Sequence, residues 1–321
     1  MVYLPAMHRR WPPIVLALTV LTFAWLYEPD RPVEALKARW APPPSRFLAV
    51  AGVQAHLRDV GPREDPEPLL LLHGTSASLH TWEGWVDALS DSERVITVDL
   101  PGFGLTGPNP SGDYSAAAYT GFVVALLDAL ELRSVVVAGN SLGGNIAWEL
   151  ALAAPERVSR LILVDAAGYP RERSVEPIGF RVARTPGLRR VADVILPRSI
   201  VEKSVRSVYG DPSRVTPELV DRYFELTLRE GNRHALAARL SQWSGGEDSA
   251  RISQVTQPTL ILWGDKDQLI PPEHGERFHR DIAGSVLVSF PGLGHVPQEE
   301  DPATSVAAVQ RFLAGGSPGA N

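Results

Sequence analysis

The sequence predicts an α/β fold: a mostly parallel central sheet flanked by helices, interrupted by a helical cap insertion. Three observations carry that reading. Short apolar segments alternate with helix-period stretches along most of the chain, and strands that alternate with helices pair in parallel with helices packed on both sheet faces. Leu69-Leu70-Leu71-Leu72 is an unbroken apolar run, as expected of a strand covered on both sides. Between residues 168 and 256, by contrast, no buried strand is evident. The apolar positions there, among them Val182, Leu188, Val205, Phe224, Leu236 and Trp243, fall in helical segments, and an insertion of that length between two strands reads as a cap over a site.

Taken in order, residues 28–46 mix charges with Pro29, Pro32 and Pro42-Pro43-Pro44, which reads as a short helix and then a stiff linker. Residues 47–50 and 53–60, separated by Ala51-Gly52, read as a hairpin. Further strands are expected at 69–72, 94–99, 135–139, 158–165, 259–263 and 286–290, with helices near 82–89, 115–130, 142–153, 272–282 and 302–313. The core is thus expected from 47–167 and 257–314, with the cap at 168–256. The Gly- and Pro-containing end, 315–321, is expected to be disordered.

Composition narrows the function classes. A chain of 321 residues with 44% apolar residues can bury the core of one large domain carrying an insertion. A formal charge of -6 leaves no basic excess, so nucleic acid is not an expected partner. Cysteine is absent, which excludes disulfides, a thiol nucleophile and cysteine-ligated metal sites. The histidines form no helical i, i+4 pair, and neither a metal nor a cofactor is implied.

The N-terminal segment, residues 1–27, carries a targeting signal. His8, Arg9 and Arg10 precede the run 11–27, whose only polar residues are Thr19 and Thr22; its length as a helix, about 25 Å at 1.5 Å per residue, suits a thin bilayer. Trp11, Trp25 and Tyr27 sit where an aromatic belt would lie. The expectation is a membrane anchor with an extracytoplasmic catalytic domain, since positive charges precede the run and Glu28, Asp30, Arg31 and Glu34 follow it with a negative excess. The alternatives are a signal peptide cleaved near Thr22-Phe23-Ala24, giving a secreted or periplasmic form, and a helix that does not cross a membrane.

Chemistry enters at Gly139-Asn140-Ser141-Leu142-Gly143, directly after the apolar run 135–138 and directly before a helical stretch. The five letters alone are weak, since chance supplies G-x-S-x-G in roughly one chain in ten of this size. Their context is what matters: a sharp strand-to-helix turn lifts a serine hydroxyl clear of the sheet, and small residues on either side let strand and helix approach. A serine needs a base and a group to orient that base. Gly264-Asp265-Lys266-Asp267 follows the strand 259–263, and His295 follows the strand 286–290 on a loop with Gly292 and Gly294. All therefore gather at strand C-terminal ends, where open α/β sheets place their sites.

The stretch 47–313 resembles the α/β-hydrolase superfamily. The resemblance rests on His73-Gly74-Thr75-Ser76, Asp99-Leu100-Pro101-Gly102-Phe103-Gly104, the serine turn, Trp263-Gly264-Asp265-Lys266-Asp267 and Gly294-His295, in that order. It implies the α/β-hydrolase fold, Ser141 as nucleophile, His295 as base and Asp267 as orienting acid, with Asp265 holding the turn. It also implies an oxyanion hole from the backbone N–H groups of Thr75 and Leu142. Asp165, at the end of an earlier strand, is the alternative acid. His73, His80 and Asp99 read as structural residues of loops and turns, and the arginines at 171–190 as a solvated face, with contact to anionic lipid or acidic substrates as the sharper reading.

The expected activity is serine hydrolysis of carboxylic esters, of the carboxylesterase or lipase kind, on a small-molecule ester that includes lipid esters. Gly-Asn-Ser-x-Gly-Gly also resembles hydrolases that cut carbon–carbon bonds in ring-cleavage products. Against that branch, Thr75-Ser76-Ala77-Ser78 is not glycine-rich, and Val296 rather than tryptophan follows His295. A cofactor-free haloperoxidase or perhydrolase is the remaining enzymatic alternative.

Overall fold

The computed structural model describes residues 27–170, 176–185, 194–242, 246 and 248–315. Eight strands form one sheet: β1 (Arg46–Val50), β2 (Val53–Val60), β3 (Leu69–Leu72), β4 (Val95–Val98), β5 (Val135–Asn140), β6 (Val158–Val164), β7 (Thr259–Gly264) and β8 (Val286–Phe290). Their spatial order is β1-β2-β4-β3-β5-β6-β7-β8. The hairpin β1-β2 and the β2-β4 pair are antiparallel, and every pairing from β4 to β8 is parallel. Each expected strand forms, with ends displaced by no more than one residue. The hairpin turns at Ala51 and Gly52, both at positive φ (47° and 82°), as a two-residue turn between right-twisted strands requires.

Side chains alternate across each parallel strand and so divide the core in two. Leu70, Leu72, Val137, Leu161, Leu163 and Ile261 face one layer, packed with residues of the helices Ala116–Ala129, Leu142–Ala153 and Glu273–Asp281. Leu69, Leu71, Val136, Ala138, Ile162 and Leu262 face the other, against the helices Glu83–Leu89 and Pro302–Leu313. This double cover is why β3 could be recognised as a continuous apolar run. It also puts the C-terminal ends of β3, β5, β6, β7 and β8 along one edge.

Between β6 and β7 the described chain runs through the helices Ile178–Arg184, Arg198–Arg206, Pro217–Thr227 and Asn232–Gln242. Part of the arginine-rich stretch, residues 171–175 and 186–193, lies outside the described residues, as does 316–321 of the expected disordered tail. Arg184, within that stretch, is not on a solvated face: it pairs with buried Glu176 at 3.3 Å.

The expected linker is part of the folded body. Its helix Val33–Trp40 buries Leu36 with Leu105 and Leu226, and Trp40 Nε1 donates to Glu225 Oε2 at 2.6 Å. Arg39 pairs with the same Glu225 at 2.8 Å, and Trp40 O accepts from His80 Nε2 at 2.8 Å. Upstream, Tyr27 bridges Ile195, and Glu28 N donates to Val194 O at 3.0 Å.

The localisation expectation is corrected accordingly. The expected anchor, residues 1–27, lies outside the described residues except for Tyr27, and among the described residues no helix is long and apolar enough to cross a membrane. Tyr27, assigned to an aromatic belt, instead pairs with the helical insertion, and the residues after it are docked on the body rather than spacing it from a bilayer. The extracytoplasmic placement, whether anchored, secreted or periplasmic, is withdrawn.

Docking of the segment is tested by Leu36→Ala, expected to lower unfolding stability by about 2–4 kcal/mol because Leu36 is only 2% exposed, whereas Ala38→Gln at an exposed position of the same helix should stay within about 0.5 kcal/mol. Urea unfolding followed by circular dichroism measures both. Equal midpoints for the two variants would show that the helix is not packed.

Candidate active site

The end of β5 and the start of the helix Leu142–Ala153 are held in backbone contact. A Cβ placed on Gly143 would stand 2.0 Å from Leu72 O, and one on Gly139 would stand 2.2 Å from Gly143 O, so neither position can carry a side chain. That approach drives Ser141 to φ 54°, ψ -112°, a conformation costly for any residue but glycine. The serine is thereby lifted off the strand end, and Ser141 N and O are taken up by Val164 O (3.1 Å) and the N–H groups of Asn145 and Ala167 (each 3.0 Å).

His295 and Asp267 meet beside it. Asp267 Oδ2 accepts from His295 Nδ1 at 2.7 Å, and its Oδ1 accepts from Leu269 N and Ile270 N at 2.8 and 2.9 Å. Both side chains are buried, at 4% exposure. Asp265 occupies a different place, accepting from Gly292 N at 2.7 Å and so tying the turn after β7 to the loop that carries His295. Thr75 follows Gly74, whose Cβ would be 3.2 Å from Ser141 Cβ, which brings the His73-Gly74-Thr75 loop against the serine turn. Leu142 contributes a buried side chain and, at the first position of its helix, an N–H with no partner in a preceding helical turn.

The residues read as structural fall into two places. His73 donates from Nδ1 to Gly74 O at 2.7 Å and accepts at Nε2 from Leu100 N at 2.9 Å; burial holds its imidazole below the usual range, hence neutral. His80 is pushed down to about 3 by burial, with the Asp99 charge opposing. Asp99 does more than shape a turn. Although burial opposes ionisation, the charge and hydrogen bond of His56, at 2.7 Å, hold its carboxyl below the ordinary value, and it also accepts from Leu79 N and Leu105 N.

Asp165, the alternative acid, is fully buried at the end of β6, with φ 43°. Its donor atoms, with those of Asp267 and His295, lie within 4.8 Å of one another, the only cluster of three metal-capable ligands among the described residues. The 2.7 Å contact between His295 and Asp267 is already a direct hydrogen bond, too short to admit an ion between two ligands whose bonds to it would each be about 2.0–2.2 Å.

Two positioning residues escaped the sequence reading. Asn140 Nδ2 donates to His295 O at 2.9 Å and to Val164 O at 3.2 Å, linking the histidine loop to β5 and β6. Glu300 accepts from Gly210 N, Asp211 N and Gly294 N at 3.0, 2.7 and 2.8 Å, joining the helical insertion to the same loop. Asn140 adjoins the serine and could have been suspected from its place in the motif. Glu300 carries no local signal, because its partners are brought to it only by the fold.

Ser141, His295 and Thr75 line one cavity of about 160 Å³, closed from above by the insertion through residues such as Phe180, Ile200, Val205 and Leu236. The model of the alpha/beta hydrolase fold matches residues 67–302 of this chain. The chain belongs to the α/β-hydrolase family. As such it is a hydrolase, and the relatives it resembles carry different substrate names. It is 30% identical over 285 residues to a 2-hydroxymuconate semialdehyde hydrolase of a Pseudomonas species, covering 85% of this chain and 95% of that protein. A meta-cleavage product hydrolase of Pseudomonas fluorescens superposes with a TM-score of 0.72 at 26% identity, over 84% of this chain and 98% of its own. A thermophilic esterase of Thermogutta terrifontis superposes with a TM-score of 0.69 at 27% identity, over 84% and 96%.

In this hydrolase the serine turn depends on backbone contact, so Gly143→Ala should destabilise by about 3 kcal/mol or more and abolish activity. Gly121→Ala, in the helix Ala116–Ala129 with open space at its Cβ, should stabilise by about 0.5–1 kcal/mol. Thermal unfolding of the two variants measures the contrast, and a Gly143→Ala protein of unchanged stability and activity would refute the contact.

Proposed function

We propose that this hydrolase cleaves carboxylic esters with uncharged, apolar acyl groups through an acyl-enzyme on Ser141. The observation that carries the reading is a strained serine on the wall of one largely apolar cavity shared with a histidine whose far nitrogen is held by a buried carboxylate. Because Asp267 accepts the Nδ1 proton, His295 Nε2 is the basic nitrogen. It takes the Ser141 proton as Oγ attacks the ester carbonyl, and the oxyanion is received by the N–H groups of Leu142 and Thr75. His295 then returns the proton to the departing alcohol. Water, activated by the same nitrogen, opens the acyl-enzyme and releases the acid.

The cavity argues for the acyl class. Its wall is aliphatic and aromatic apart from a few hydroxyls, and the cation within it, Arg233, is engaged by Asp30 at 2.6 and 3.0 Å. Among the described residues of such a wall, a carboxylate would lose hydration without gaining an unshared counter-charge, at a cost of several kcal/mol. That disfavours the acidic ring-cleavage products suggested by the Pseudomonas relatives, although those relatives keep carbon–carbon cleavage as the second reading.

Ser141→Ala should abolish both p-nitrophenyl ester hydrolysis and fluorophosphonate labelling without changing the circular dichroism spectrum, and His295→Ala should lower kcat by about 10⁴ or more. Across p-nitrophenyl esters, kcat/KM should rise about fourfold per added methylene until the cavity is filled, while a succinate monoester should fall far below the butyrate. Faster cleavage of a vinylogous 1,5-diketone than of any ester would replace the ester reading with the carbon–carbon one.

A further inference from the structure

Two carboxyl groups stand together behind His295, and their hydrogen bonds are unequal. Asp267 accepts three donors: Leu269 N, Ile270 N and His295 Nδ1. Asp165 accepts one, from Gly264 N at 3.0 Å to Oδ1, while its Oδ2 is buried with no donor. Two buried carboxylates within 4.8 Å of one another do not both ionise, and the charge settles on the one with more hydrogen-bond donors. We propose that Asp165 is a positioning residue held as the neutral acid, donating its Oδ2 proton to the Asp267 carboxylate and so fixing the charge and orientation of the group that holds His295. The proposal rests on the reading of His295 as the base.

The surroundings agree. Burial, and after it the charge of Asp267, hold the Asp165 carboxyl well above the usual carboxylate range, with the N–H of Gly264 opposing. Among the described residues, the charged or titratable groups that face it are Asp267, His295 and Glu300, with no lysine or arginine among them. Glu300 is itself occupied by the N–H groups of Gly210, Asp211 and Gly294. Asp165 also holds its place at φ 43°, where a non-glycine residue is strained, which is consistent with a side chain pinned at both ends.

The sign of the effect makes the assignment testable. A neutral O–H pointing at Asp267 presents its positive end toward the imidazole and weakens proton binding there. Asp165→Ala removes that dipole, and the His295 titration should move up by about half to one pH unit. Asp165→Asn keeps both contacts, with Oδ1 accepting and Nδ2 donating, and asparagine tolerates a positive φ; its midpoint should stay within about 0.3 unit of the original. Were Asp165 ionised instead, the asparagine would delete a negative charge within 4.8 Å of His295 and lower the midpoint by about one to two units.

The experiment is a ¹⁵N NMR titration of the His295 imidazole in the full chain and in both variants, with the acid limb of kcat/KM on an ester measured in parallel. A rise for alanine with little change for asparagine is the expected result. A fall for asparagine overturns the proposal, as does an unmoved titration in both variants. If the alanine variant does not fold, the sign of the asparagine shift alone decides. Because the NMR midpoint is read without turnover, a protein that failed to cleave esters would count against the proposed function and leave this test standing.

Discussion

The contact between the backbone of Gly143 and the end of β3, at a distance that no side chain could share, is the constraint on which the rest of the site depends. It fixes how near the helix Leu142–Ala153 lies to the sheet, and that nearness forces the φ of Ser141 positive. The strain is offset by packing around it: the strands on either side, β3 and β6, are buried on both faces, and Ser141 N and O are hydrogen-bonded to their surroundings. A less rigid sheet would let the turn relax into a normal helical entry and withdraw the hydroxyl.

The histidine arrives by a different route. No single element places it; instead its loop is held from three sides. Asn140 ties it to β5, Asp265 ties it to the turn after β7, and Val208 O accepts from His295 N at 2.8 Å, so the helical insertion shares in holding the proposed base. Glu300 strengthens the last link by accepting from both the insertion and the loop. The insertion is therefore more than a cover over the cavity. A displacement of its residues 208–211 would be transmitted to His295 through backbone hydrogen bonds.

How much of this was legible in the sequence differs by element. The strands were readable because burial on both faces leaves an unbroken apolar signature, as in Leu69–Leu72, and because glycine and proline mark the turns. Ser141, Asp267 and His295 could be singled out as candidates because each sits at a strand end in a local pattern of small residues. Asp165 could be named from its strand end only as an alternative acid, and Glu300 not at all, since what matters about them is which groups stand opposite, and that is set by β6, β7 and the insertion coming together. The residues after Tyr27 misled for a related reason. A short helix between prolines looks like a spacer until Leu36 is seen to fit between Leu105 and Leu226, which lie about 70 and 190 positions further along.

The same long-range pairing bears on specificity. Asp30 comes from the docked N-terminal segment and Arg233 from the cavity wall, and the two are held together by the hydrogen bonds of Glu28, Asp30 and Arg31 to the backbone of the insertion. A buried guanidinium with its counter-charge in place presents little net field to the cavity, whereas one whose partner had been removed would attract an anionic acyl group. Thus a segment outside the family's matched region, 67–302, contributes to the electrostatics of the cavity within it. On the function proposed above, discrimination against anionic acyl groups would rest on the pairing of two distant stretches of chain, Asp30 with Arg233, as well as on the residues around Ser141.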